Sequence, residues 1–128
     1  MGEQIEIDGR PYVLSETQFA YSGTLAKSFV IPGQVLLYGF TVSSTNVAAQ
    51  FVQLFDAQTL PADGAVPVTF LAVATNAQAR GYYGKPGRRF TGGIVLCNSS
   101  TAGTKTIGSA DCLFDVQYAR LLDDTGET

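Results

Sequence analysis

Alternation of apolar and polar residues with a period of two runs along most of this chain and constrains its fold more than any other feature. The clearest case lies near the end, where Cys112, Phe114, Val116 and Tyr118 fall on one side of an extended segment. Successive side chains of a β-strand point to opposite faces, so this spacing supplies one continuous apolar face. The pattern predicts a half-buried strand over residues 112–119.

Two earlier segments show the same alternation. Residues 17–31 are predicted to form one long half-buried strand that can bend at Gly23. Its apolar face would consist of Phe19, Tyr21, Leu25, Phe29 and Ile31. Pro32 and Gly33 then break the pattern. The next strand is predicted to place Leu36, Tyr38, Phe40 and Val42 together on its apolar face.

Further strands are predicted at 66–75, 78–83 and 90–97. Pro67 near the start of the first indicates a strand end or a sheet edge, because proline cannot donate to the hydrogen-bond ladder. Residues 90–97 are apolar on both faces, which is typical of a central strand covered on each side. Residues 47–57 also fit helical spacing behind an Asn46 cap, but their β-forming residues favour a strand.

Seven to nine short strands with turn residues between them predict an all-β fold, an antiparallel β-sandwich of the jelly-roll type. A chain of 128 residues has the size of one domain. We assign residues 15–120 to the sandwich and 121–128 to a flexible tail. Residues 1–14 are predicted to be an amino-terminal arm or hairpin. We expect this arm to add a strand to a neighbouring subunit or to another partner rather than to its own sheet.

The chain is poor in charge. Charged residues make up 15% of it and the net charge is −3, which argues against a protein that binds nucleic acid with its whole surface. No apolar run is long enough to span a bilayer. Residues 1–10 carry acids where a signal peptide would carry bases, so we expect synthesis in a cytoplasm.

The residue types predict a protein that is not an enzyme and needs no cofactor or metal. The chain has no histidine, the usual general base near neutral pH and the commonest zinc ligand. Paired acids are the remaining candidates, either Asp56 with Asp63 or Asp111 with Asp115. Aspartates at turns and strand ends more often cap backbone donors, so we interpret all four as structural.

The two cysteines, Cys97 and Cys112, lie fifteen residues apart. In a reducing compartment such a pair is more often two buried thiols than a disulfide. The sequence alone leaves the disulfide open.

One cluster is a candidate interface because it places four of the eight basic residues within ten positions. Arginine and tyrosine are enriched among the residues that dominate protein interfaces. The competing interpretation is a solvated turn at the rim of the sandwich. Together with the apolar residues of the arm, the predicted partner interface is Ile5, Ile7, Arg80, Tyr82, Tyr83, Lys85, Arg88 and Arg89.

A central block of the sequence resembles a group of small β-sandwich virion proteins of tailed bacteriophages. The likeness extends over about residues 35 to 119 and consists of strand and turn motifs. These motifs are residues 37–42 (LYGFTV), 51–56 (FVQLFD), 60–67 (LPADGAVP), 90–96 (FTGGIVL) and 99–101 (SST).

This resemblance implies a structural role as a head decoration, or cement, protein or as a fibre-type module. A decoration protein would bind the lattice of the major capsid protein, or another virion protein, as a homo-oligomer such as a trimer. It would be made in the host cytoplasm and end up in the virion, with no membrane or direct nucleic-acid contact. The alternative is a receptor- or glycan-binding module of a fibre or tail that uses the loops 43–46, 82–89 and 98–103.

Overall fold

The computed structural model describes residues 4–7, 9–84 and 87–123. Over these residues the chain forms eleven β-strands, and it has no helix long and apolar enough to cross a membrane. The strands are β1 (Gln4–Ile7), β2 (Arg10–Leu14), β3 (Gln18–Tyr21), β4 (Ser28–Pro32), β5 (Val35–Ser44), β6 (Gln50–Asp56), β7 (Thr69–Val73), β8 (Gln78–Tyr82), β9 (Arg88–Phe90), β10 (Gly93–Ser99) and β11 (Cys112–Asp123).

The strands form two antiparallel sheets, which confirms the predicted all-β sandwich. In the seven-stranded sheet, β5 and β11 lie side by side at the centre. β8 and β9 pair with the other edge of β5, β3 and β2 pair with the other edge of β11, and β1 pairs with β2. The four-stranded sheet has the order β4-β10-β6-β7. The strand count exceeds the predicted seven to nine, and the jelly-roll connectivity stays a prediction.

Predictions for four single strands are confirmed, one of them in part. Residues 50–56 form β6 rather than a helix, and the strand that follows Pro67, β7, lies at the edge of its sheet. β10 is buried along its whole length between β4 and β6, as predicted for a central strand, but it begins at Gly93; Phe90 of the predicted strand 90–97 lies in β9 of the other sheet. On β11, Cys112, Phe114, Val116 and Tyr118 all enter the main core, as their spacing predicts.

The prediction of one strand over residues 17–31 is wrong. β3 pairs with β11 in one sheet and β4 pairs with β10 in the other, with Gly23 at φ 73° in the connection. Ala20 faces Val116 across the ladder and packs against the core, because directly opposed residues of paired strands share a face. Phe19 and Tyr21 therefore point outward, with 73% and 60% of their surfaces exposed.

The four apolar residues predicted to share one face of β5 are divided between its two sides. Gln117 pairs with Gly39, and Tyr118 pairs with Leu37, so Tyr38 is an extra residue in β5. Such a bulge reverses the alternation of side chains. Phe40 and Val42 lie in the main core between the sheets, whereas Leu36 and Tyr38 lie in a separate cluster.

That separate cluster attaches the amino-terminal hairpin to the sandwich. Leu14 and Tyr12 of β2 are buried in it beside Leu121 of β11. β2 also pairs with β11 through Leu14 opposite Leu121 and Val13 opposite Leu122. The hairpin thus extends the sheet of its own chain, which differs from the expected pairing with another subunit. β11 continues through Asp123, so the predicted tail begins too early; residues 124–128 lie outside the described residues.

A layer of loops covers much of the outer face of the four-stranded sheet. Phe55, Val95 and Cys97 form a small buried cluster beneath Leu60 and Ile107, among other loop residues. The buried Lys105 forms an ion pair with Asp63, and the buried Gln53 donates hydrogen bonds to the backbone carbonyls of Thr101, Ala102 and Thr104. These contacts hold the loops against the sheet.

Candidate functional site

The predicted basic cluster divides into three parts in the structure. Arg80 and Tyr82 project from β8 to the outer side of the seven-stranded sheet, and Tyr82 is 82% exposed. The Arg88 guanidinium lies 6.0 Å from the Tyr83 ring centre, and its Nη2 donates to the Val68 carbonyl at 3.4 Å. These two pairs belong to different surfaces.

Arg89 forms the third part, and its contacts are intramolecular. Its Nη2 donates to the Tyr12 hydroxyl at 3.1 Å and to Gln34 Oε1 at 3.0 Å, and the guanidinium lies 5.4 Å from the Tyr12 ring centre. Arg89 therefore holds the hairpin to the sandwich, and its predicted role as a partner contact stays a prediction. Lys85 and the side chains of Ile5 and Ile7 lie outside the described residues, so their interface roles stay predictions.

Exposed aromatic residues lie at both edges of the outer side of the seven-stranded sheet. Phe19 and Tyr82 occupy opposite ends of one row of paired residues that crosses β3, β11, β5 and β8. Tyr21 and Arg80 occupy the ends of the next row. We call this surface the open sheet face; it consists of Phe19, Tyr21, Gly39, Thr41, Arg80, Tyr82, Asp115 and Gln117.

The centre of the open sheet face is a shallow depression of about 140 Å³ above Gly39. The Tyr82 ring lies close to this glycine, since a Cβ there would be 3.4 Å from Tyr82 Cδ1 and 3.1 Å from the Gly81 carbonyl oxygen. Glycine therefore leaves room for the depression, and a side chain would fill part of it.

The polar side chains around the depression make few hydrogen bonds to other described residues. Asp115 and Gln117 are exposed, and among the described residues their side chains have no hydrogen-bond partner. Arg80 donates one hydrogen bond, from Nη2 to Gln78 Oε1 at 3.3 Å. The sequence pointed to Arg80 and Tyr82, but it missed Phe19 and Tyr21, because their alternation fits either face of a strand.

A second exposed surface lies along β7 and the segment that leads into it. Val66, Val68 and Phe70 are 73%, 43% and 44% exposed, and we call these three residues the apolar edge. Phe70 packs edge-to-face on Phe51 with ring centres 5.8 Å apart. Over the described residues β7 pairs only with β6, so its outer backbone edge is open. Arg88 contacts Val68 and places a cation beside this edge.

The candidate acids serve as structural acceptors. Asp56 accepts hydrogen bonds from the backbone N–H groups of Thr91, Gly92 and Gly93 and from the Thr91 hydroxyl. Burial opposes its ionisation, but these donors outweigh burial and lower the pKa of the carboxyl. Asp63 is held in the same way by Lys105 and the Ile107 N–H, which lower its pKa.

Asp111 joins a polar network at the opposite end of β6. It accepts from Asn46 Nδ2 at 2.7 Å, Asn98 Nδ2 at 2.7 Å and Gln50 Nε2 at 3.1 Å. Burial opposes ionisation here too, yet the donors, with the Cys112 thiol first among them, hold the pKa of Asp111 below its usual value.

The two candidate pairs, Asp56 with Asp63 and Asp111 with Asp115, have separate structural roles. Asp56 caps the turn at residues 91–93, whereas Asp63 binds Lys105 and the Ile107 N–H. Asp111 and Asp115 are four residues apart along an extended chain, or roughly 13 Å. Paired glycosidase carboxylates lie within about 10 Å of one another. Over the described residues, no three Cys, Asp or Glu side chains are grouped as metal ligands.

Both thiols are free and fully buried. Burial raises the pKa of Cys97 to about 11. Burial, together with the hydrogen bond to Asp111, raises the pKa of Cys112 to about 12. Neither cysteine has the lowered pKa of a nucleophile or a redox centre.

The loops predicted to bind a glycan do not meet at one end of the molecule. The loop 43–46 and the segment that begins at Asn98 both contact Asp111. Tyr82 pairs with Gly39, whereas Gln78 pairs with Ser43, so the 82–89 segment starts roughly 13 Å further along the sheet. The three loops therefore do not form a single site.

Comparison of the chain with protein-family models, with curated proteins and with solved structures finds no match. The likeness to phage virion proteins thus rests on the sequence motifs, and functional inference rests on the two exposed surfaces.

Proposed function

We propose that this protein is a structural virion protein, a capsid decoration protein that stabilises a tailed-phage head by binding the lattice of the major capsid protein. The observation that carries the proposal is the apolar edge. Natural proteins usually protect an edge strand with charge, proline or a bulge, because an open edge pairs with other chains. Pro67 lies ahead of β7, but the strand itself (TFLAV) contains neither charge nor proline, and Val66, Val68 and Phe70 are exposed beside its open edge.

The composition of this region suits a protein partner. Apolar and aromatic side chains next to arginine are typical of the residues that dominate protein interfaces. Arg88 and Tyr83 supply that combination beside Val68. An extended segment of the capsid protein would add a strand to β7 and cover the exposed side chains.

A decoration protein acts through many copies. A stable, specific interface buries about 1,600 Å² in total, and simultaneous contacts along a lattice multiply the strength of each one. We propose that the chain binds as a homo-oligomer, such as a trimer, so that each assembly contacts several capsid subunits.

The test is co-sedimentation of the purified protein with isolated phage heads that lack it. The Val68→Lys variant places a charge on the apolar edge and should weaken binding at least about tenfold. Val47→Lys is the matched control, because Val47 is 87% exposed in the loop before β6, which lies at the Val73 end of β7, opposite the end near Val68. It should bind like the unmodified protein.

Sedimentation velocity of the protein alone tests the oligomer. A protein that stays monomeric at high concentration and does not bind heads would overturn the proposal. Equal binding by the Val68→Lys and Val47→Lys variants would show that the apolar edge is not the contact surface.

A further inference from the structure

We propose that the open sheet face is a binding site for a neutral oligosaccharide. This inference is independent of capsid binding, because it concerns the outer side of the seven-stranded sheet, whereas the apolar edge belongs to the four-stranded sheet. Its starting point is the arrangement of exposed aromatic rings and free polar groups around the depression at Gly39.

The aromatic residues provide stacking surfaces at a useful separation. Phe19 and Tyr82 are 73% and 82% exposed and are separated by three strand spacings, or roughly 14 Å. One face of a pyranose ring carries C–H groups, which pack on the electron-rich face of an aromatic ring. An extended oligosaccharide lying across the strands would place sugar rings on Tyr82 and on Phe19 or Tyr21.

The groups between the rings suit sugar hydroxyls. The Asp115 carboxylate accepts hydrogen bonds, the Gln117 amide both donates and accepts, and the Arg80 guanidinium donates. Asp115 and Gln117 have no hydrogen-bond partner within the described part of the chain, so they are available to a ligand. Asp115 and Arg80 lie in the same row of paired residues, separated by Thr41.

The balance of charge selects a neutral ligand. One acid and one base contribute no net charge to the open sheet face. A nucleic acid would require an excess of cations there, and a sialylated or sulfated glycan would be repelled by Asp115 as much as attracted by Arg80.

The layout also differs from that of a protein interface. Protein interfaces have an apolar centre surrounded by a polar rim, and aspartate is depleted in them. On the open sheet face the order is reversed: Gly39, Thr41, Asp115 and Gln117 occupy the centre, and the aromatic residues occupy the edges. Shallow sites of this kind bind ligands by stacking and directed hydrogen bonds.

The experiment uses the full-length protein on an array of neutral gluco-, galacto- and manno-oligosaccharides, with sialylated and sulfated glycans as a second set. Binding of the best neutral glycan is then measured by titration calorimetry. Tyr82→Ala should weaken it at least about tenfold, and Gln117→Ala should weaken it as well. Both side chains are exposed, so neither change should shift the melting temperature.

Tyr83→Ala is the matched control. Tyr83 is adjacent in sequence, but its ring contacts Arg88 rather than the depression, so this variant should retain full affinity. The proposal is overturned if no neutral glycan binds more tightly than about 1 mM, if only acidic glycans bind, or if the Tyr82→Ala and Tyr83→Ala variants bind equally. Val68→Lys should leave glycan binding unchanged, which separates this result from the outcome of the capsid test.

Discussion

At the scale of single residues, burial decides the chemistry of the two thiols. Cys97 and Cys112 have pKa values of about 11 and about 12 because burial disfavours the thiolate. At pH 8, the thiolate fraction of either would be about one in a thousand or less. The thiolate is the reactive form, so both side chains should be inert in the folded protein.

We therefore predict that a thiol reagent at pH 8 labels neither cysteine in the native protein and both after denaturation without reductant. Quantitative mass spectrometry of the labelled chain checks this result. If the denatured, unreduced protein remained unlabelled, Cys97 and Cys112 would form a disulfide, and their assignment as free thiols would be wrong.

The stability that Asp56 contributes by capping the turn at residues 91–93 should depend on pH. The donors at residues 91–93 lower the pKa of this carboxyl below its ordinary value of 3.8, so its contribution to stability is present above that value and is lost as the pH falls through the lowered pKa. Asp56→Asn should reduce the free energy of unfolding at pH 7 by about 1 kcal/mol, a modest loss because the carboxylate is exposed to solvent.

Chemical denaturation at pH 7 and at pH 3 measures the effect. The difference between the Asp56→Asn variant and the unmodified protein should narrow at pH 3, because the carboxyl of the unfolded chain, with its ordinary pKa of 3.8, is mostly protonated there. Asp115→Asn is the control, since the exposed Asp115 has no hydrogen-bond partner among the described residues. If Asp115→Asn destabilised the protein as much as Asp56→Asn, the stabilising role assigned to the Asp56 cap would be contradicted.

At the scale of elements, the attachment of the β1–β2 hairpin distinguishes two neighbouring arginines. Arg89 donates part-buried hydrogen bonds to Tyr12 and Gln34, whereas Arg88 makes one long, exposed hydrogen bond to the Val68 carbonyl. Arg89→Ser should lower the free energy of unfolding by about 1 to 3 kcal/mol through the lost charged hydrogen bonds. Arg88→Ser should change it by no more than about 0.5 kcal/mol.

Urea denaturation of the two single variants, measured side by side, tests this difference. If the two variants were equally stable, Arg89 would contribute little to the attachment of the hairpin.

At the scale of the whole molecule, the topology should make folding slow. β11, the last strand of the described residues, pairs with β2, β3 and β5, so the seven-stranded sheet closes only when distant segments meet. Sandwiches dominated by such pairings fold in milliseconds to seconds. Stopped-flow refolding followed by the fluorescence of the six tyrosines should show this range, and refolding complete within microseconds would contradict it.

The sequence by itself determined the fold class and most strand positions. Alternation at Cys112, Phe114 and Val116 identified the inward face of β11, and the apolar run in β10 indicated a central strand. These features are local, because the period of two follows from the backbone geometry of a single strand. The edge position of β7 was also predictable, since proline cannot donate to a ladder.

Only the tertiary structure decided which side each strand buries and which surfaces remain open. Phe19 and Tyr21 would satisfy alternation equally well in the core, but the pairing of Ala20 with Val116, ninety-six residues away, turns them outward. The extra residue Tyr38 likewise reverses the faces of β5 because of its register with β11. Register depends on contacts between distant segments, and no local pattern encodes it.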